Sequence, residues 1–189
     1  QALPGGDRAA SEPWRSAAAV LHRSGRGDEI LARFSQPAAI TVKQMLDQGF
    51  NCPHTSSAGR LFDAVASLLG ICHINSFEAD AAMQLEAAAT RYLQRSEYHG
   101  QELLIDFSES GQPVYDRLLH CIADAKDSEA GAALFHCQLI EGLSRWVITQ
   151  SQVVNIRIVV LGGGCFLNQI LLQGLTEKLQ QAGLAVYSA

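Results

Sequence analysis

A chain of 189 residues is long enough to bury one sizeable core, since domains usually run to about 100–200 residues. With 48% hydrophobic and 17% charged residues it must fold by burial, which excludes a disordered tail, a collagen-like rod and a small disulfide scaffold. The 14 basic and 19 acidic residues leave a net charge of -5 with no Lys/Arg run, so nucleic acid and anionic membrane surfaces are poor partners.

Leu3-Pro-Gly-Gly-Asp7 is a turn-rich lead-in, and Ser11-Glu12-Pro13 supplies an N-cap, an early acid and a first-turn proline for a helix from about Glu12 to His22. Glycines at 25 and 27 break it. A short helix ends near Phe34, Pro37 punctuates, and another helix runs from about Ile40 to Gln48. From about Ser56 to Leu69 the spacing of Leu61, Phe62, Val65, Leu68 and Leu69 predicts an amphipathic helix with Gly70 as its C-cap. Asn75 followed by Glu78 has the form of a capping box for an alanine-rich helix reaching Leu93.

Leu103 to Phe107 has the apolar character of a strand, and a helix is expected from Tyr115 to Ala125. Asp127 and Glu129 open a long helix to about Ile148 whose apolar stripe includes Ala132, Phe135, His136, Leu139, Leu143, Trp146 and Val147. Ile156 to Leu161 is a β-branched strand bounded by glycines, followed by a helix from about Phe166 to Gln181 and a strand beginning at Leu184. Helices first, then strand, helix and strand, describe an α/β domain with a helical portion ahead of it. The helical portion spans residues 1–100 and the α/β lobe 101–189. The start, Gln-Ala-Leu-Pro, has neither an initiator Met nor a signal-peptide layout, and the chain is expected to be part of something longer.

Gly162-Gly-Gly-Cys-Phe-Leu-Asn168, between strand and helix, is the most informative local feature. Glycines allow a close backbone approach, and the N–H groups of a following helix favour an anion, which suits a nucleotide phosphate or sugar. The same residues also fit an ordinary turn with Asn168 as a helix cap. Gly162, where the strand turns away, is expected to need positive φ, and Gly164 is not. Neither G-x-G-x-x-G nor a Walker loop fits.

Asp63 lies at the edge of the apolar stripe of its helix, where a carboxylate can accept a hydroxyl or N–H; a solvated helix acid is the plainer reading. Gly59 in that helix suggests a close approach by a backbone or ligand. The six histidines form no H-x-x-x-H or H-E-x-x-H pair, so no metal site is expected within the chain, and His136 on its apolar stripe suits a satisfied core residue. The five scattered cysteines include no C-x-x-C, which suits a reducing, cytoplasmic setting. Cys165 at the mouth of a helix is either an activated thiol or a small packed hydrophobe.

Five strings occur in the order seen in one family: Leu3-Pro-Gly-Gly-Asp7 with Glu12-Pro-Trp-Arg15, Thr55-Ser-Ser-x-Gly-Arg-Leu-Phe-Asp-Ala-Val65, Phe77-Glu-x-x-Ala-Ala-Met83, Phe135-His136, and Gly163-Gly-Cys-Phe-x-Asn168. Over nearly its whole length the chain resembles the hydrogenase maturation carbamoyltransferases, the HypF family. The resemblance implies part of a Kae1/TsaD-like domain of the actin-like ATPase (ASKHA) fold. It also implies use of carbamoyl phosphate and ATP, a carbamoyl adenylate intermediate, and transfer of the carbamoyl group to the C-terminal cysteine of a HypE-like partner. It places Asp63, Glu78 and Asn168 near the ribose or base of a nucleotide, Gly163 and Gly164 against its backbone-facing side, and Gly59 and Arg60 in the same nucleotide-binding set.

The catalytic residues are not assigned. Ala79 stands where the family has a glycine, which the resemblance connects with close approach of a ligand, and Leu167 and Gln169 replace the usual Gln and Arg. The family's metal-binding histidine pair, Asp-Gly-Thr-Gly loop and Pro-Asn-Asp-Gly motif do not occur here, so the metal ligands are expected outside this chain. Related O-carbamoyltransferases, tRNA threonylcarbamoyltransferases and a non-catalytic helical interaction module are the alternatives.

Overall fold

A computed structural model describes residues 1–96 and 102–188. The expected boundary at residues 100/101 and His99 lie outside the described residues. Helices α1 (Arg8–Ser11), α2 (Pro13–Arg23), α3 (Ile30–Arg33), α4 (Ala39–Gln48), α5 (Ala58–Leu68) and α6 (Asp80–Arg95) come first. A two-residue antiparallel ladder, β1 (Asp106–Phe107) with β2 (Pro113–Val114), follows and leads into α7 (Asp116–Ala123) and α8 (Ser128–Val153). The chain closes with β3 (Ile158–Leu161), a 3₁₀ turn (Gly164–Leu167), α9 (Gln169–Gln181) and β4 (Ala185–Ser188). Strands β3 and β4 pair in parallel, Ile158 opposite Ala185 through Leu161 opposite Ser188, and α9 makes the crossover.

The core is helical. α2 packs on α5, α5 on α6, α6 on α8 and α8 on α9. Trp14, Leu21, Val65, Leu85, Phe135 and Leu175 are among the side chains it fully buries. Close helix packing uses glycines: a Cβ on Gly174 of α9 would stand 2.5 Å from Ile140 Cδ1, and one on Gly142 of α8 would stand 2.6 Å from Ile105 Cδ1. Val159, Leu161 and Val186 pack against the helices, whereas Ile158, Val160 and Tyr187 leave the other sheet face uncovered. No helix among the described residues is long and apolar enough to cross a membrane.

The lead-in is structural. Leu3 N–H donates to Pro53 O at 2.8 Å, Gly5 N–H to Asn51 O at 2.9 Å and Thr55 N–H to Gln1 O at 2.9 Å, so the first residues form an extended clasp along 51–55. Gly5 and Gly6 turn away with φ of +86° and +58°. Buried Arg15 donates to Pro4 O at 3.4 Å and to Glu12 Oε2 at 2.6 Å, with its guanidinium 5.0 Å from the centroid of Trp14. Two of the quoted strings therefore make one contact set that fixes the approach to α5.

Three local expectations are corrected. The expected strand from Leu103 shrinks to Asp106–Phe107, because no strand among the described residues lies beside the earlier positions. The Gln138 side chain takes that place, accepting Leu104 N–H at 2.6 Å and donating to Glu102 O at 3.1 Å. The last helix starts at Gln169 rather than Phe166, since a 3₁₀ turn occupies Gly164–Leu167.

The capping box before α6 is also shifted. Asn75 Oδ1 accepts Ala81 N–H at 2.9 Å, and Asp80 rather than Glu78 returns the bond, accepting Ser76 N–H at 3.0 Å. The shift follows from Ala79, which adopts φ +64° and ψ 13° and delays helix entry. A left-handed L-residue costs about 1–2 kcal/mol, so glycine at this position serves the backbone. Ala79→Gly is expected to stabilise the protein by about 0.5–1 kcal/mol after the unfolded-state entropy of glycine is subtracted. Chemical denaturation at neutral pH checks this; a lower midpoint would refute it.

Candidate nucleotide cleft

A cleft of about 610 Å³ opens between the N-terminus of α5 and the glycine turn after β3. Thr55, Ser56, Ser57, Ala58, Leu61 and Phe62 line one side, and Gly162, Gly163, Gly164, Cys165 and Phe166 the other. α2 adds Val20, Arg23 and Ser24, and Tyr115 and Asp116 come from the start of α7. Arg23 Nη2 reaches Asp116 Oδ2 at 2.8 Å and links those two elements. Ser57 is the N-cap residue of α5, but its side chain makes no capping bond; its backbone N–H donates to Thr55 Oγ1 at 3.0 Å.

Of the expected site residues, Gly163 and Gly164 line the cleft and the others do not. Gly59 has only Ser57 Oγ, 3.6 Å from where a Cβ would stand, so no protein backbone crowds it. Glu78 is exposed on the loop before α6. Asp63 is buried rather than solvated, with Arg60 Nη2 3.0 Å from its Oδ2. Among the described residues, neither that Oδ2 nor Arg60 Nη1 has a hydrogen-bond partner. Desolvation raises the Asp63 carboxyl to about 6 despite the opposing charge of Arg60.

Asn168 is buried as the N-cap of α9, its Oδ1 accepting Leu171 N–H at 2.9 Å. The α9 N-terminus, a natural place for a phosphate, is already used: Gln169 N–H donates to Glu86 Oε1 at 2.7 Å. No sequence signal marked Glu86, which belongs to a different helix. Thr55, Ser56 and Ser57 were legible in the quoted string. Arg23, Tyr115 and Asp116 had no signal, since only the tertiary fold brings α2 and α7 to the cleft.

Backbone geometry at the turn corrects one expectation. Positive φ falls at Gly163, with φ +102° and ψ 163°, and not at Gly162. Gly164 has open space where a Cβ would stand and no positive φ, as expected. Burial raises the Cys165 thiol, and the charge of Arg60 only opposes it, which favours the packed reading over an activated nucleophile.

The whole chain, residues 1–189, matches the family model described as "Carbamoyltransferase, Kae1-like Domain, second subdomain". The chain belongs to the HypF carbamoyltransferase family. It is 41% identical to carbamoyltransferase HypF2 of Cupriavidus necator, covering 99% of this chain and 26% of that protein. A HypF homolog of the same organism is 43% identical, with 96% of this chain and 49% of the relative aligned. HypF of Rhizobium leguminosarum bv. viciae is 37% identical over 96% of this chain and 24% of its own length.

The chain thus spans between a quarter and a half of these relatives. Among solved structures, full-length HypF in a phosphate- and nucleotide-bound form superposes with a TM-score of 0.83 at 25% identity, covering 100% of this chain and 25% of that one. HypF of T. kodakarensis gives a TM-score of 0.77. The α/β, Kae1-like fold expected from the sequence is the fold observed, with the helical portion first.

Proposed function

We propose that this chain supplies two facing walls of a nucleotide cleft in a HypF-type carbamoyltransferase. The observation that carries the proposal is the cleft itself, which brings Thr55-Ser-Ser-Ala58, with Leu61 and Phe62, face to face with the Gly162-Gly-Gly-Cys string. The fold is shared with a HypF crystallised with phosphate and nucleotide, which supports a nucleotide as the ligand, and ATP is the one proposed. Gly163 and Gly164 let the ligand approach the backbone. Phe62 and Leu61 offer an apolar surface to a base, and Ser56 and Ser57 offer hydroxyls to the sugar or phosphate.

In this reading water releases phosphate from carbamoyl phosphate, the carbamate oxygen attacks the α-phosphorus of ATP with pyrophosphate leaving, and the cleft holds the resulting carbamoyl adenylate for a partner thiolate. The sulfur of the C-terminal cysteine of a HypE-like protein attacks the carbamoyl carbon. A C–S bond forms, and the C–O bond to the adenylate breaks with its electron pair leaving on AMP. This chain's contribution is orientation and charge stabilisation. The family's metal is expected on ligands outside the chain; among the described residues no three His, Cys, Asp or Glu side chains gather into a site for one. The proposed setting is the cytoplasm, with neither a membrane nor nucleic acid as partner.

Hydrogen–deuterium exchange of the full-length protein with and without ATP tests the placement. Protection is expected in the stretches 55–62 and 162–166, which carry the residues of the two walls. Binding of ATP with no protection in either stretch would overturn the proposal.

A further inference from the structure

One buried group touches the α5 wall of the cleft and the residue that ends the glycine turn, without lining the cleft itself. His136, on α8, is fully buried. Its Nδ1–H donates to Ala132 O at 2.8 Å, one turn back, which leaves Nε2 as an acceptor for Asn168 Nδ2 at 2.9 Å. Asn168 Oδ1 in turn accepts Leu171 N–H, so the amide has one orientation and the glycine turn ends at a fixed point. On its other side the imidazole ring meets Phe62 of α5 with centroids 5.7 Å apart and planes at 73°, and Phe62 lines the cleft. Phe135, the preceding residue, packs edge-on against the Phe62 ring at 5.1 Å. The histidine therefore joins the far end of the glycine turn to the α5 wall through one hydrogen bond and one ring contact.

We infer that His136 is a positioning residue for the nucleotide cleft, acting through Asn168 to hold the glycine turn against α5. The inference rests on the proposed nucleotide site. A purely structural histidine would need only its bond to Ala132 and its packing. The additional bond to Asn168 gives it leverage over Gly163 and Gly164, five and four residues earlier in the chain.

The test compares ATP affinity of the full-length protein by titration calorimetry with His136→Leu, His136→Met and His136→Gln, each alone and in an Asn168→Ala background. Leu and Met fill the space without an adequate acceptor, whereas Gln can place an amide oxygen near the position of Nε2. His136→Leu and His136→Met are expected to bind ATP about tenfold more weakly, the ratio typical of one lost hydrogen bond. His136→Gln should stay within about threefold of the parent, and the apolar replacements should have little further effect once Asn168 is Ala, because acting through one partner makes the two changes non-additive.

If Leu does not fold, the Met and Gln variants still decide the question. Apolar variants that fold and bind ATP like the parent would overturn the positioning role while leaving the cleft intact. Equal losses in the Gln and Met variants, or full additivity with Asn168→Ala, would also overturn it. A parent protein that binds no ATP would remove the nucleotide site itself and the inference with it.

Discussion

Replacing Asp63 by Asn should make the stability of this protein rise with pH between about pH 4 and 6.5, and replacing His136 by Gln should make it fall over nearly the same range. The native Asp63 carboxyl sits at about 6 against an ordinary 3.8, chiefly because it is desolvated. Between those values the folded protein holds a proton that the unfolded chain has released, so this group's stabilisation is complete below pH 3.8 and is lost as the pH rises through 6. His136 runs the other way. Burial lowers its imidazole to about 4 from 6.5, so on acidification the unfolded chain takes up a proton that the folded one refuses.

Each contribution is on the order of 3 kcal/mol, since one pKa unit corresponds to about 1.4 kcal/mol, and in the parent the two largely offset each other. Asp63→Asn removes the falling component and exposes the rising one; His136→Gln does the reverse. Carboxylates lowered by nearby bases or amides, among them Asp47, Asp80, Glu129 and Glu141, add a common rise with pH that cancels when variants are compared. Urea unfolding of parent and variants at pH 4.5, 5.5 and 7 measures the divergence. Parallel profiles for all three proteins would show that neither buried group carries its assigned shift.

Residues whose partners lie within a few positions of them were legible in the sequence. The α5 stripe, the Asp127 cap of α8 and the α9 stripe depend on spacings of three and four residues, and all three helices form over most of the expected stretches, α8 running on to Val153 and α9 starting at Gln169 rather than Phe166. The expected strand at Leu103–Phe107 failed because a strand needs a neighbour, and a glutamine 34 residues away satisfied the backbone instead. The start of α6 moved because a left-handed alanine shifted the cap, which a spacing rule cannot foresee.

At the cleft, the strings pointed to two of the elements that line it but blurred the roles within them. Asp63, expected at an edge, lies beneath the wall beside Arg60, and Asn168 is held by His136 and Leu171. Glu86 occupies a helix terminus that sequence alone left open for an anion. Each of these depends on packing between helices far apart in the chain.

Gly163→Ala and Gly164→Ala should separate scaffold from binding surface at adjacent positions. Gly163 holds φ +102° with ψ 163°, a region that is almost exclusive to glycine, so a methyl there costs about 1–3 kcal/mol whether or not a ligand is present. The neighbouring Gly164 begins the 3₁₀ turn, has no positive φ and offers open space where a Cβ would stand. Alanine at Gly164 should leave the melting temperature of the free protein within about 1 °C, since no strain or contact is introduced. The same methyl projects where a nucleotide would approach the backbone, so it should reduce the ATP-induced rise in melting temperature. Gly163→Ala should show the opposite pattern, with a melting temperature lower by several degrees and an ATP-induced rise that survives where the fold does. Thermal unfolding of both variants in the full-length protein, with and without ATP, is the measurement. If Gly164→Ala melts well below the parent yet keeps the parent's full response to ATP, the turn is scaffold and the nucleotide does not rest on it.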